Sequence, residues 1–201
     1  MDYKSLLFNI DIQSGNTPAP GALLVSEPFL REDYFSHSVI ALIEYEPGGG
    51  AMGVVLNNGS DYTLQELVEG VERKESIPVY CGGPVGSDRL YFIHTLGDII
   101  PGTQPLGDGL WVGGDFDPML SIVNDGYELE GNIRFFLGYS GWSGSQLEEE
   151  LARNVWAVSP LTGSPHDMLR GAGDAYWHRA VRALGDDFRG WLYHPQNPMV
   201  N

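Results

Sequence analysis

The chain has 201 residues, of which 42% are hydrophobic and 19% charged, and its 11 Lys and Arg stand against 27 Asp and Glu for a net charge of −16. That length supports one large domain or two small ones and a core that needs no staples. The acidic balance argues against partners bound by phosphate neutralisation, because the long-range field repels nucleic acid. The one cysteine, Cys81, excludes an internal disulfide framework. No apolar run approaches the roughly 18 residues of a membrane span, and the first residues lack the pattern of a secretory signal. These features predict a cytoplasmic protein with no membrane partner.

In chain order, residues 1–20 read as an N-terminal arm closing on "NTPAPG" (Asn16–Gly21), and residues 21–201 as a single domain. "GALLVSEP" is an apolar, strand-like run stopped by Pro28. "SVIALIEY" and "AMGVVLN", joined through "EPGGG", predict an antiparallel hairpin. All three runs are nearly continuous in apolar residues, which implies strands covered on both faces. Asp61–Val71 reads as a short helix, with Thr63 and Glu66 at capping-box spacing. "IPVYCGGPV" and "RLYFIHTL" are further strands. In "LWVGGDFDPMLSIVNDG" a strand leads into a helix with Asp117 as N-cap, Pro118 at its first position and Gly126 past its end. "NIRFFLGY" is a strand, and a helix over Ala175–Leu184 stops at Gly185. Strands early and helices late predict an α+β fold rather than α/β.

The stretch Leu137–Trp156, "LGYSGWSGSQLEEELARNVW", looks most like a site. A serine-hydrolase elbow needs G-x-S-x-G, but G-W-S-G-S around Ser143 lacks the last glycine. A phosphate cradle is opposed by Glu148, Glu149 and Glu150 in the first helical turn, with no Lys or Arg in the loop. Tyr139 and Trp142 could form a stacking platform, although aromatics in such stretches usually anchor a core. The simplest reading is a glycine-rich turn that seats Trp142 and launches a helix. Its capping box is Ser145 with Glu148, or Ser143 with Gln146, and Glu149 and Arg153 form an i,i+4 pair.

The five histidines show no paired ligand spacing, and Cys81 has no C-x-x-C mate, so no metal site or cofactor is predicted. His94 reads as a hydrogen-bonded strand histidine. A hydrolase alternative would use Ser38 or Ser143 with His94 and a carboxylate.

Three blocks together, "GALLVSEPFLREDYFSHSVIALIEYEPGGGAMGVVLNN", "VYCGGPVGSDRLYFIHTL" and "FFLGYSGWSGSQLEEELARNVWAV", resemble the AlgH/YqgE family of bacterial proteins, and the tail "HPQNPMVN" resembles its Bacteroidetes-type members. The resemblance implies a mainly antiparallel bifurcated sheet curled into a pseudo-barrel with short flanking helices, in a cytosolic bacterial protein. The family is labelled a transcriptional regulator by association with alginate control, and no reaction or cofactor comes with it. Its recurrent positions include Ser38, Asn57, Gly82, Gly83, His94, Tyr139, Trp142 and Gln146, which form the candidate functional cluster. His37 stands where many relatives have Arg, and Asn58-Gly59 also departs from the family pattern; both changes remove positive charge. The function so predicted is a non-catalytic regulatory or binding protein acting through a protein or small-molecule partner. The alternatives are a serine/histidine hydrolase and a direct nucleic-acid binder, the latter disfavoured by charge.

Overall fold

A computed structural model describes residues 12–32, 34–161 and 163–193. Its strands are β1 (Leu23–Ser26), β2 (Val39–Glu46), β3 (Gly50–Val55), β4 (Gly59–Thr63), β5 (Pro78–Cys81), β6 (Val85–His94), β7 (Gln104–Gly107), β8 (Leu110–Val112), β9 (Ile133–Ser143) and β10 (Trp156–Ser159). The helices are α1 (Leu64–Leu67), α2 (Phe116–Asn124), α3 (Gln146–Ala152), α4 (Pro165–Met168) and α5 (Gly173–Leu184), followed by a 3-10 helix over Asp186–Tyr193. The end of the tail, from residue 194, lies outside the described residues.

The ten strands form one sheet in the order β10-β1-β2-β3-β9-β6-β8-β7, with β4 and β5 as a side branch. The branch point is β9. Its Ser140–Ser143 half pairs antiparallel with β3, whereas Phe135–Leu137 pair parallel with β5 on the same edge. β6 takes the other edge. The sheet is therefore bifurcated and mostly antiparallel. It curls until Gly21, just before β1, lies against the Leu106 carbonyl of β7, where a Cβ would collide with backbone. The outermost strands, β10 and β7, do not pair with each other, so the sheet stays open.

Coverage of both faces explains the unbroken apolar runs. In β1, Leu23 and Val25 join one core cluster with Val39, Ala41, Phe136, Trp177 and Trp191, while Leu24 joins another with Ile40, Leu42, Trp142, Leu147 and Trp156. Alternate residues of one strand thus feed two cores, as a period of two requires. A third cluster holds Leu64, Ile77, Val79, Phe92, Met119 and Phe135 beneath α1 and α2. The predicted late helix is observed as α5, with Trp177 and Val181 fully buried, and Gly185 takes a positive φ of 108° at its end.

Several local expectations change. The Asp61–Val71 helix shrinks to the single turn of α1, because Gly59–Thr63 is drawn into pairing with β5. Its predicted cap holds: the Glu66 carboxylate accepts the Thr63 N–H at 2.8 Å. α2 starts earlier, with Asp115 rather than Asp117 at the N-cap position and Pro118 inside the first turn. The largest change is in β9. The expected turn over Gly138–Ser143 is strand, and only Gly144–Ser145 turn before α3. Pairing with β3 and β6 outweighs the poor strand preference of glycine there.

Candidate functional site

A β-bulge in β2 lies between Leu42 and Glu44, so Glu44 and Glu46 follow Val39 and Ala41 onto the concave face. β9 makes a matching change of face at Gly138, whose φ is +71°. Phe136 and Tyr139, three residues apart, consequently pack into the same core cluster. At the open end of the concave face two cross-strand rows result: Glu44–Met52–Gly141 and Glu46–Gly50–Ser143. The row between them, Tyr45–Ala51–Trp142, packs from the opposite side toward α3.

These rows floor a groove of about 670 Å³, lined by Glu44, Tyr45, Glu46, Gly49, Gly50, Ala51, Met52, Tyr139, Gly141, Trp142, Ser143 and Gln146. A neighbouring recess of about 350 Å³ shares Glu44 and Met52 and continues along Tyr91, Gln104, Gly113 and Gly114. The groove's charged side chains are Glu44 and Glu46, both exposed, and it contains no Lys or Arg. Tyr139 closes one side, its ring edge-on to Tyr91 at 5.9 Å between centroids.

The groove wall is fixed from behind by Glu150. One carboxylate oxygen accepts both the Trp142 and the Trp156 indole N–H, at 2.8 and 2.7 Å, and the other accepts the Gln146 amide at 3.0 Å. The two indoles meet edge to face at 6.1 Å. Glu148 does not complete a box with Ser145, whose side chain makes no cap bond. It reaches the hairpin instead, where its Oε1 accepts the Gly48 N–H at 2.9 Å and the Tyr45 hydroxyl at 3.1 Å. Those bonds and its own backbone amide hold the Glu148 carboxyl below the usual carboxylate range. Of the Ser143–Gln146 box only one half forms, a long 3.4 Å bond from the Ser143 N–H to Gln146 Oε1. Arg153 donates its Nε–H to the Glu149 carbonyl at 3.2 Å, in place of the expected carboxylate pair.

Of the predicted cluster, Tyr139, Trp142 and Gln146 meet at this groove, and the other five residues do not line it. Ser38 is fully buried, its N–H bonded to Ser26 Oγ at 3.0 Å. Asn57 is a buried clamp: its Oδ1 accepts the Val39 N–H at 2.9 Å, and its amide donates to the carbonyls of His37 at 2.9 Å and Gly173 at 3.1 Å. It thereby ties β2 to the start of α5. His37, at φ +48°, stacks on Trp177 at 3.9 Å and bonds Asp174 through Nδ1. Gly82 and Gly83 allow β5 to cross β9, because a Cβ on either would strike the backbone of Gly138 or Tyr139.

His94 is fully buried at the far end of β6. Its Nδ1 accepts the Leu96 N–H at 3.1 Å, and its Nε2–H donates to the Gly113 carbonyl at 2.9 Å. Burial pushes its pKa down. It pairs across the sheet with Ile133, ten residues along β9 from Ser143, a separation of roughly 33 Å at ~3.3 Å per residue. A Ser143–His94 couple is therefore not built. Among the described residues no group of three His, Cys, Asp or Glu side chains is placed to hold a metal ion, and no helix is long and apolar enough to cross a membrane.

Sequence reasoning missed Glu44, Glu46 and Met52. The available signal was the alternation in "IEYE", which sets both carboxylates on one side of a hairpin tip.

An open, bifurcated, mostly antiparallel sheet with short helices on both faces and a groove at the mouth of its concave face defines an α+β protein of a particular build. Residues 23–189 match the sequence model of the AlgH-like family, and the chain belongs to that family. It is 41% identical over 185 residues to a UPF0301 protein of Parabacteroides distasonis, covering 92% of each chain. It is 39% identical to a UPF0301 protein of Bacteroides thetaiotaomicron over the full length of both. The fold is similar to the solution structure of the AlgH protein from Pseudomonas aeruginosa, with a TM-score of 0.66 and 27% identity, covering 85% of this chain and 93% of that one. It is also similar to the crystal structure of a protein from Corynebacterium diphtheriae, with a TM-score of 0.71, 24% identity and coverage of 94% and 97%.

Proposed function

We propose that the chain is a non-catalytic regulatory protein whose groove at the mouth of the concave face receives a cationic group. That group is the ammonium or guanidinium of a small molecule or of a side chain presented by a partner protein. The observation that carries this reading is the pair of cross-strand rows that sets Glu44 and Glu46 beside Met52 and Tyr139 with no cation among them. Carboxylates next to aromatic and thioether surface suit a cation with an apolar stem. The net charge of −16 works in the same direction by steering cations in and polyanions away. A single cysteine, Cys81, fits a reducing, cytoplasmic setting.

Titration of the protein with an arginine-containing peptide amide, a glutamate-containing control and spermidine, followed by amide NMR shifts, tests this. The cationic ligands are expected to shift Met52, Gly141 and Ser143, and the E44Q/E46Q double variant to weaken them about tenfold, the combined worth of two exposed ion pairs. Equal binding of the acidic control, or shifts that avoid the groove, would refute the reading. A hydrolase built on Ser38 or Ser143 with His94 finds no support in the placement of those groups.

A further inference from the structure

Arg134 lies within β9 between Ile133 and Phe135 and is only 5% exposed. Its Nη1 donates to the Leu56 carbonyl at 2.7 Å and its Nη2 to the Leu169 carbonyl at 2.8 Å, while its guanidinium carbon sits 4.1 Å from the centre of the Tyr80 ring. A guanidinium has five N–H donors, and a buried charge is costly unless it meets an opposite one. Here two donors are used, both on neutral carbonyls. Among the described residues no carboxylate stands within 4 Å of this cation. Burial accordingly works against its charged form.

The uncompensated guanidinium borders a cavity of about 360 Å³, partly enclosed and separate from the groove. On the face of the sheet that carries the Arg134 side chain, Pro78, Tyr80 and Leu169 supply its apolar lining, while Ile133 and Phe135 turn to the other face. Arg73, at the rim, is already engaged by Glu75 at 3.3 Å and by the Tyr127 carbonyl at 2.6 Å. Glu128 and Glu130 also stand at the rim, both exposed. The site thus offers one deep cation, an apolar body and an acidic entrance. A single negative charge is neutralised there, whereas a dianion would meet rim repulsion that one guanidinium does not offset. The volume is at the small end of ligand cavities, which run from about 300 to 1,000 Å³.

We infer that this cavity binds a small monocarboxylate with a flat apolar body, its carboxylate on Arg134 and its body against Pro78, Tyr80 and Leu169. The site is independent of the groove, and neither reading rests on the other.

The test is titration of the intact protein with benzoate, with benzamide as the neutral isostere and inorganic phosphate as the anion without an apolar body, read by amide NMR shifts. Benzoate is expected to bind saturably and to shift Tyr80, Leu169 and Arg134. Benzamide and phosphate are each expected to bind at least about tenfold more weakly, and Arg134→Gln to lose benzoate by a similar factor. Glu130→Gln, an exposed change that leaves the core untouched, is expected to tighten benzoate about two- to fivefold, and it keeps the test alive if Arg134→Gln fails to fold. Benzamide or phosphate matching benzoate would overturn the inference. So would unchanged binding in a folded Arg134→Gln protein, no tightening in Glu130→Gln, or no benzoate shifts at about 10 mM.

Discussion

Replacing Glu150 with Ala removes the acceptor shared by the Trp142 and Trp156 indoles, which are 7% and 5% exposed. A buried donor left without a partner costs about 1–3 kcal/mol, and a bond to a charged acceptor is stronger than a neutral one. The Glu150 side of these bonds is half-buried, so water can reach part of the vacated space, which sets the sum for two donors at about 3 kcal/mol. The better helix propensity of Ala recovers only about 0.4 kcal/mol, so the loss dominates. For a chain of this size each kcal/mol lowers Tm by about 2–4 °C, which predicts a fall of roughly 6–12 °C by circular dichroism. Glu150→Gln keeps a carbonyl oxygen in the same place and should lose about half as much. In a Trp142→Phe background one donor is already absent, and Glu150→Ala should then cost about 1–2 kcal/mol less. A melt within about 2 °C of the parent, or the same cost in both backgrounds, would show that the shared carboxylate does not hold the indoles.

Other perturbations reach the framework. Gly82→Ala drives a Cβ into the Gly138 carbonyl, a backbone atom that cannot swing aside. It should cost about 3 kcal/mol and lower Tm by about 6–12 °C, and a fall under about 2 °C would contradict the close crossing. His94 resists protonation when folded but takes a proton near pH 6.5 when unfolded. Its contribution to stability is therefore complete above that pH and is lost as the pH falls toward the depressed folded value. Urea unfolding at about pH 7.5 and about pH 5 should show a flatter decline in His94→Gln than in the parent, and identical slopes would refute the assignment. Asn57→Ala removes the acceptor of the Val39 N–H and the amide that donates to the His37 and Gly173 carbonyls at the joint between β2 and α5. It should speed amide exchange at Val39 at least about tenfold, and unchanged protection would mean that the clamp is dispensable.

The three early strands were legible because each feeds two cores, which leaves no polar face to interrupt the apolar run. The Thr63–Glu66 cap was legible because it is local. What escaped depended on partners distant in sequence. Gly138–Ser143 reads as a turn by composition and becomes strand only because β3 and β6 flank it. Gly59–Thr63 is polar, and its strand exists through β5. The family resemblance named Tyr139, Trp142 and Gln146, which line the groove, in one cluster with Ser38, Asn57, Gly82, Gly83 and His94, which do not. Glu44 and Glu46 went unnoticed in the sequence, since a bulge that redirects a side chain leaves little trace in composition. Arg134 did leave a trace: one cation inside the apolar run "NIRFFLGY".

Two glycines, one of them from the stretch that suggested a phosphate cradle, serve the groove in another way. Gly50 and Gly141 fall on the groove side of their strands, and with no side chains there the floor between Glu44, Glu46 and Tyr139 is backbone. A Cβ on Gly141 would press on the Tyr139 ring at 3.2 Å, and one on Gly50 would press on the Trp142 carbonyl at 2.6 Å. A ligand meeting this floor finds strand backbone framed by carboxylates and rings, with the acidic α3 behind it. On the proposed reading, that frame repels a phosphate and accepts a cation, the opposite selectivity to that of a glycine-rich loop leading into a helix with basic flanks. The residue types are shared between the two arrangements. Strand pairing and the bulge in β2 decide which arrangement is built, and so the charge that the groove presents.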